Sequence, residues 1–292
     1  MSATGLDSEK VRYISLVRKE GGEPVLGIPY REMSVDPDLV ASFVLAVIIF
    51  ENRQLRTFTK EGYVVLIEEG SHVVGLLIID KVEEEEPYRE ALRLIINTFE
   101  ARYEAQFKSW SGDIRPFREF ALFILAVFPY RILDPNLVPT LITGSEAVPD
   151  HRAKIPWAVG ETDKKLELVK EYINGKRTIM DIIEACGFDE AEGMALFSML
   201  DRYKWITLSR AVTDDTVLVK LMEPPAVLIG AYGEHLVHIV EQCDGTRRLG
   251  QIANDLNLNR DVVRTLAKTL VNAGVLGFAG TSDREESVSG EP

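Results

Sequence analysis

"VDPDLVASFVLAVIIF", Val35 to Phe50, opens on Asp-Pro-Asp and then runs for twelve residues in which Ser42 is the only polar side chain. Read as a helix it has no polar face, whereas most surface helices of globular domains keep one. Those twelve residues span about 18 Å as a helix, against the about 20 residues that cross a bilayer, so protein must cover them. At about 100° per residue, Leu39, Val40, Phe43, Val47 and Phe50 share the side that would cover a sheet. Ala41, Leu45, Ile48 and Ile49 point the other way. This second stripe is the candidate partner-binding surface, because an uncovered apolar patch marks an interaction site. Its occupant is a foreign partner, a second copy in a homodimer, or another part of the same chain.

Working outward, "VRYISLVR" from Val11 alternates, and "PVLGIPY" follows "GGE", which predicts a hairpin turning at Gly21 and Gly22. After the opening segment, "QLRTFTKE", "YVVLIEE" and "HVVGLLIID" read as three more strands, punctuated by Gly62 and by Gly70-Ser71. Then the period lengthens. Apolar residues at Tyr88, Leu92, Ile95, Ile96, Phe99, Tyr103 and Phe107 predict a long amphipathic helix over 84–109. A shorter one is expected over 116–128, with Asp113 placed to start the turn before it. Residues 1–130 are thus an α+β domain of order ββαβββαα. Residues 131–160 are Pro-rich and aperiodic, a linker draped over a domain because Leu133, Leu137, Val138, Leu141 and Trp157 need cover.

Sliding the sequence on itself by 70 residues exposes an internal repeat: "LELVKEYINGKRTIMDIIEACGF" from Leu166 lies over "LVHIVEQCDGTRRLGQIANDLNL" from Leu236 without a gap. Identities fall at Leu166/Leu236, Gly175/Gly245, Arg177/Arg247, Ile182/Ile252, Leu196/Leu266 and Leu200/Leu270. Each copy reads as helix, Gly turn, short helix, turn, third helix and strand. After the first copy, "SRAVTDDTVLVKLM" predicts a wing hairpin with Asp214-Asp215 at its tip. The copies are expected at 161–224 and 225–280 as two winged helix-turn-helix domains, and the polar residues 281–292 as a disordered tail.

The formal charge of −13 and pI near 4.9 argue against a broad phosphate-binding footprint, so nucleic-acid contact would have to be local. Cys186 and Cys243 sit in helical apolar patterns and read as buried thiols in a reducing compartment. No segment has the length of a membrane span or the pattern of a signal peptide, which gives a cytoplasmic expectation. Neither GxxxxGK[ST] nor GxGxxG occurs, and the spacing of His235, His238 and Cys243 matches no strong metal motif. His72 and His151 are isolated, leaving no nucleophile and base to pair. The acidic run of Glu83 to Glu86 reads as the wet entry to a helix whose N-terminus favours carboxylates. No enzyme, cofactor or metal is expected.

The ββαβββαα order, with the "DPDLVASFVLAVIIF" helix start and the "SWSGDIRPFREF" segment before the last helix, resembles a longin-like domain. The likeness is in particular to archaeal longin-like proteins related to those on small-GTPase and trafficking modules, and it covers about residues 10–130. It implies a first helix that packs on the sheet with one side and meets a partner with the other. It also implies a domain that dimerises and binds or regulates Ras-like GTPases without a cofactor. The C-terminal units resemble winged-helix domains of archaeal transcription regulators and of ESCRT-II assembly subunits, a fold that serves DNA and protein alike. In the first, the recognition-helix position "DEAEGMALFSMLDRY" is acidic and would repel phosphates. In the second, Arg260, Arg264 and Lys268 recur every four residues and could reach a major groove. The sequence therefore supports a non-enzymatic adaptor or regulator that binds a Ras-like small GTPase or another longin or roadblock-type protein. The alternative is a DNA-binding transcription regulator using the second winged helix.

Overall fold

The computed structural model describes residues 6–31, 56–60, 62–108, 110, 112–142 and 154–279. The helix expected over 35–50, with Ala41, Leu45, Ile48 and Ile49, lies outside the described residues, as do 143–153 and the tail from residue 280. The chain divides into two compact units that meet between Ser209 and Arg210.

In the first unit, strands β1 (Val11–Arg18), β2 (Pro24–Pro29), β3 (Thr57–Lys60), β4 (Tyr63–Glu69) and β5 (Val73–Asp80) form one antiparallel sheet in the order β2-β1-β5-β4-β3. The β1–β2 hairpin turns where expected: Gly22 takes φ +76°, and its amide donates to the Arg18 carbonyl at 3.0 Å. The runs "YVVLI" and "VVGLLII" are apolar without alternation, the pattern of strands buried on both faces. Ile14, Leu16, Leu66, Leu77 and Ile79 accordingly face one core, while Tyr13, Val17, Val65, Val74 and Ile78 make a separate apolar cluster. A bulge between Val11 and Tyr13 shifts the alternation, which puts Val11 on the first face with Ile14 and Leu16.

Helix α1 (Glu86–Lys108) lies on that first face. Gly75 lets it sit close, since a Cβ there would come within 2.7 Å of Ile96 and 2.9 Å of Leu92. Arg89 ties its first turn to the sheet: the guanidinium is 3.0 Å from Glu68 and 3.1 Å from Glu85, and also donates to the Arg56 carbonyl. A 3₁₀ turn, Arg115–Phe120, follows and runs into α2 (Ala121–Val127). Asp113 accepts from the Arg115 amide at 3.0 Å, as its position implied. Phe99 gathers Phe117 and Phe120 at centroid distances of 5.5 and 5.1 Å, closing the core beneath α1 and α2.

The stretch expected as a linker is part of this unit in its described portions. Leu133, Val138, Ile155 and Trp157 are buried, and β6 (Leu137–Leu141) forms within it. Helices α3 (Gly160–Tyr172), α4 (Ile179–Cys186) and α5 (Glu190–Arg202) are the first repeat copy, followed by β7 (Ile206–Arg210). Thr178 and Asp181 close a capping box at the start of α4, and Gly187 ends it at φ +69°. Leu166, Val169, Ile182, Leu196 and Leu200 join the same core as the sheet's first face. The first copy and the sheet are therefore one unit, where two domains separated by a linker were expected.

In the second unit, β8 (Val217–Lys220), α6 (Ala226–Tyr232), α7 (His235–Gln242), β9 (Asp244–Arg248), α8 (Leu249–Asp255), α9 (Arg260–Asn272) and β10 (Leu276–Phe278) enclose their own core of Leu218, Leu236, Ile252, Val263, Leu270 and Val275. The turn geometry repeats at the same offset. Gly175 and Gly245, Gly187 and Asn257, and Lys204 and Gly274 are pairs 70 positions apart, and all six have positive φ.

The expected wing hairpin does not form. β7 pairs with β6, and β8 pairs with β10 and β9. Each copy closes on itself: the strand before its first helix pairs with the strand after its third, β6 with β7 and β8 with β10. The Leu218 side chain explains the second case, because it is fully buried in the second unit's core and commits β8 to that unit. "SRAVTDDTVLVKLM" is thus the junction between copies, and the unit boundary falls at 209/210 instead of 224/225.

Candidate functional site

The residues singled out for DNA lie on α9, which begins where Asn259 accepts a hydrogen bond from the Asp261 amide at 2.8 Å. Val263, Leu266, Ala267 and Leu270 form its buried stripe, leaving Arg260 at the surface and Arg264 and Lys268 half-buried. The two arginines share one carboxylate. Arg260 Nη1 donates a hydrogen bond to Asp214 Oδ2 at 3.3 Å, whereas Arg264 Nη1, 3.3 Å from Asp214 Oδ1, is near enough to attract but not aligned for one. Arg264 also pairs with Asp261, and Arg248 lies 2.8 Å from Asp215. The Asp214 carbonyl accepts from the Gly250 amide at 2.8 Å, which fixes this loop beside α8.

Of the acidic pair expected at a wing tip, Asp214 therefore sits against the basic stripe and offsets its charge, while Asp215 pairs with Arg248. Coulomb attraction between partly exposed groups is modest, about 1 kcal/mol or less per pair, yet it acts directly against capture of a phosphate by the same guanidinium.

The corresponding helix of the first copy, α5, is unavailable for a different reason. Gly193 and Ala195 to Leu200 are all buried, packed between α2 and the remaining helices of the copy. Its acidity told against DNA, and its burial removes the surface a groove would need.

His235 and His238 are exposed while Cys243 is buried, and among the described residues no group of three or more His, Cys, Asp or Glu is placed to hold a metal. Burial pushes the Cys243 thiol up to about 12, with the Asp244 charge adding to it, the opposite of an activated nucleophile. The run at Glu83 to Glu86 behaves as a helix entry: Glu85 pairs with Arg89, and Glu86 with Arg93. No helix among the described residues is long and apolar enough to cross a membrane.

One apolar feature was missed in the sequence. Helix α6, "AVLIGAY", has no buried residue; Val227 is 80% exposed, with Leu221 and Met222 exposed just before it. Its composition reads as core, and only the Pro224-Pro225 stop and the Gly233 turn hint that it stands apart. An apolar segment of this kind marks a contact surface. No family model matches the chain, and no curated protein matches it.

Proposed function

We propose that this protein is a non-enzymatic adaptor or regulator whose longin-like sheet domain binds a Ras-like small GTPase or another longin or roadblock-type protein, with the helical repeats extending the binding scaffold. The observation that carries this reading is the sheet itself. Its order β2-β1-β5-β4-β3 presents an apolar cluster on each face, with α1 on the first. That is the layout the longin resemblance implies, with a first helix serving the second face and offering its outer stripe to a partner. The stripe is Ala41, Leu45, Ile48 and Ile49, and the exposed α6 supplies a further apolar contact in the second unit.

The transcription-regulator reading loses support because two of the basic side chains it needs, Arg260 and Arg264, are held by Asp214 and Asp261. The test is a double substitution, Leu45→Asp with Ile48→Asp. Partner capture should be abolished with the thermal midpoint of the first unit unchanged, whereas full capture by a folded variant would reject the stripe as the interface. Titration with duplex DNA at low salt should show no binding, and binding that Arg264→Glu removes would restore the alternative.

A further inference from the structure

The first unit contains a cleft of about 420 Å³ that the adaptor reading does not use, lined in part by Tyr30, Arg31, Tyr130, Arg131, Asp201, Arg202 and Lys204. Four basic side chains line it (Arg31, Arg131, Arg202 and Lys204) against two acidic ones (Glu9 and Asp201), in a chain of net charge −13. Two of the four are already occupied. Arg31 Nη1 is 3.2 Å from Asp80 and Arg131 Nη1 is 3.7 Å from Asp201. Among the described residues, neither Arg202 nor Lys204 has a carboxylate within ion-pair distance; the Arg202 guanidinium lies over the Tyr130 ring, 5.7 Å from its centroid. That ring is braced, since its hydroxyl accepts from Trp157 Nε1 at 2.8 Å and the Tyr30 ring lies 5.2 Å away.

The internal repeat isolates what is special here. The first copy ends its third helix with "DRYK", Asp201 to Lys204; the second copy has "VNAG", Val271 to Gly274, at the same place. Both chains leave the helix through a left-handed residue, with the amide of the next residue returning to the helix: Trp205 to the Leu200 carbonyl and Val275 to the Leu270 carbonyl, 2.8 and 2.9 Å. Glycine does this without strain at Gly274 (φ +70°), whereas Lys204 does it at φ +59° against its own Cβ. A strained lysine lining a basic cleft, where the fold accepts glycine, points to a role for its charge.

We propose that this cleft binds a small phosphomonoester, with the phosphate held by Arg202 and Lys204 and the organic part lying against the tyrosine-lined wall. A planar guanidinium and a lysine ammonium, both without a carboxylate partner among the described residues, are the side chains that recognise a phosphate, and the volume suits a small molecule.

The test is calorimetric titration of the full-length protein at low salt with inorganic phosphate, glucose 6-phosphate and adenosine monophosphate, with glucose as the uncharged control. At least one phosphorylated probe binds and glucose does not, and Arg202→Glu with Lys204→Glu weakens binding by about tenfold or more. Lys204→Gly, which installs the residue of the second copy, weakens binding while raising the thermal midpoint; a purely structural lysine would move the midpoint alone. No binding of any phosphorylated probe, equal binding of glucose, or phosphate binding undiminished in both variants would overturn the proposal.

Discussion

At the scale of single residues, the structure turns several ambiguous signals into definite roles. Cys243 is 1% exposed, and a thiol pushed up to about 12 stays protonated at neutral and mildly alkaline pH. In the native protein it should resist alkylation at pH 8 and react at the rate of an ordinary thiol once denatured, as mass spectrometry of labelled peptides would show. The linkage sign follows from the raised value. The unfolded chain releases this proton first, so the contribution is intact below the ordinary thiol range and is lost as pH climbs from there toward 12. Labelling of the native thiol at pH 8 would contradict the burial. The sequence placed this cysteine correctly as buried, although it follows the last residue of α7 instead of lying within a helix. It did not reveal that Arg260 and Arg264 meet Asp214, because pairings across 46 and 50 positions leave no trace in local spacing. Lys204 was different: its left-handed backbone could have been read from the repeat, where it aligns with Gly274.

At the scale of elements, what was legible is what has a period. Strands β1 to β5 and the long helix α1 follow from alternation, from apolar spacing and from the glycines between them, and all but β3, which starts at Thr57 within the run expected from Gln54, stand within two residues of their expected limits. β6 escaped because "LVPTL" contains a proline and is too short for a pattern, and the missing wing was its consequence. "SRAVTDDTVLVKLM" has every local mark of a hairpin, but β7 and β8 find different partners, β6 for one and β9 with β10 for the other. Strand partners are chosen by the core each strand can reach, which no window of sequence contains. The junction of α1 with β4 offers a direct test. Arg89 is 8% exposed and holds Glu68 at 3.0 Å, so Arg89→Ala leaves a largely buried carboxylate without its main partner. Chemical denaturation should report a loss of about 3 kcal/mol, with Arg89→Lys restoring only part of it because one ammonium cannot reproduce the guanidinium's fan of contacts. A change under about 0.5 kcal/mol would mean that the ion pair is solvated and the helix is held by Leu92, Ile96 and Phe99 alone.

At the scale of the whole molecule, the repeat has been divided between two units with different surroundings. The first copy shares a core with the sheet, and its third helix is buried; the second keeps its own core and leaves one face of α9 and most of α6 at the surface, with Leu228 and Ile229 half-buried against that core. The same 70-residue pattern thus serves as filler in one unit and as an exposed scaffold in the other. Separate cores predict separable unfolding. Leu270→Ala, at a fully buried position of the second core, should lower one of two calorimetric transitions by about 2 to 5 kcal/mol and leave the other in place. A single transition that shifts as a whole would show that the units fold as one.

The central claim is that this chain works by holding another protein. Its most direct measurement is affinity capture of the tagged full-length protein from lysate of the cells that make it, with and without nuclease, read by mass spectrometry. The account predicts recovery of a small GTPase or a second longin or roadblock-type protein, unchanged by nuclease and lost in the Leu45→Asp, Ile48→Asp variant. Recovery of DNA with transcription proteins that nuclease removes would contradict it, and would make α9 the functional surface in spite of Asp214.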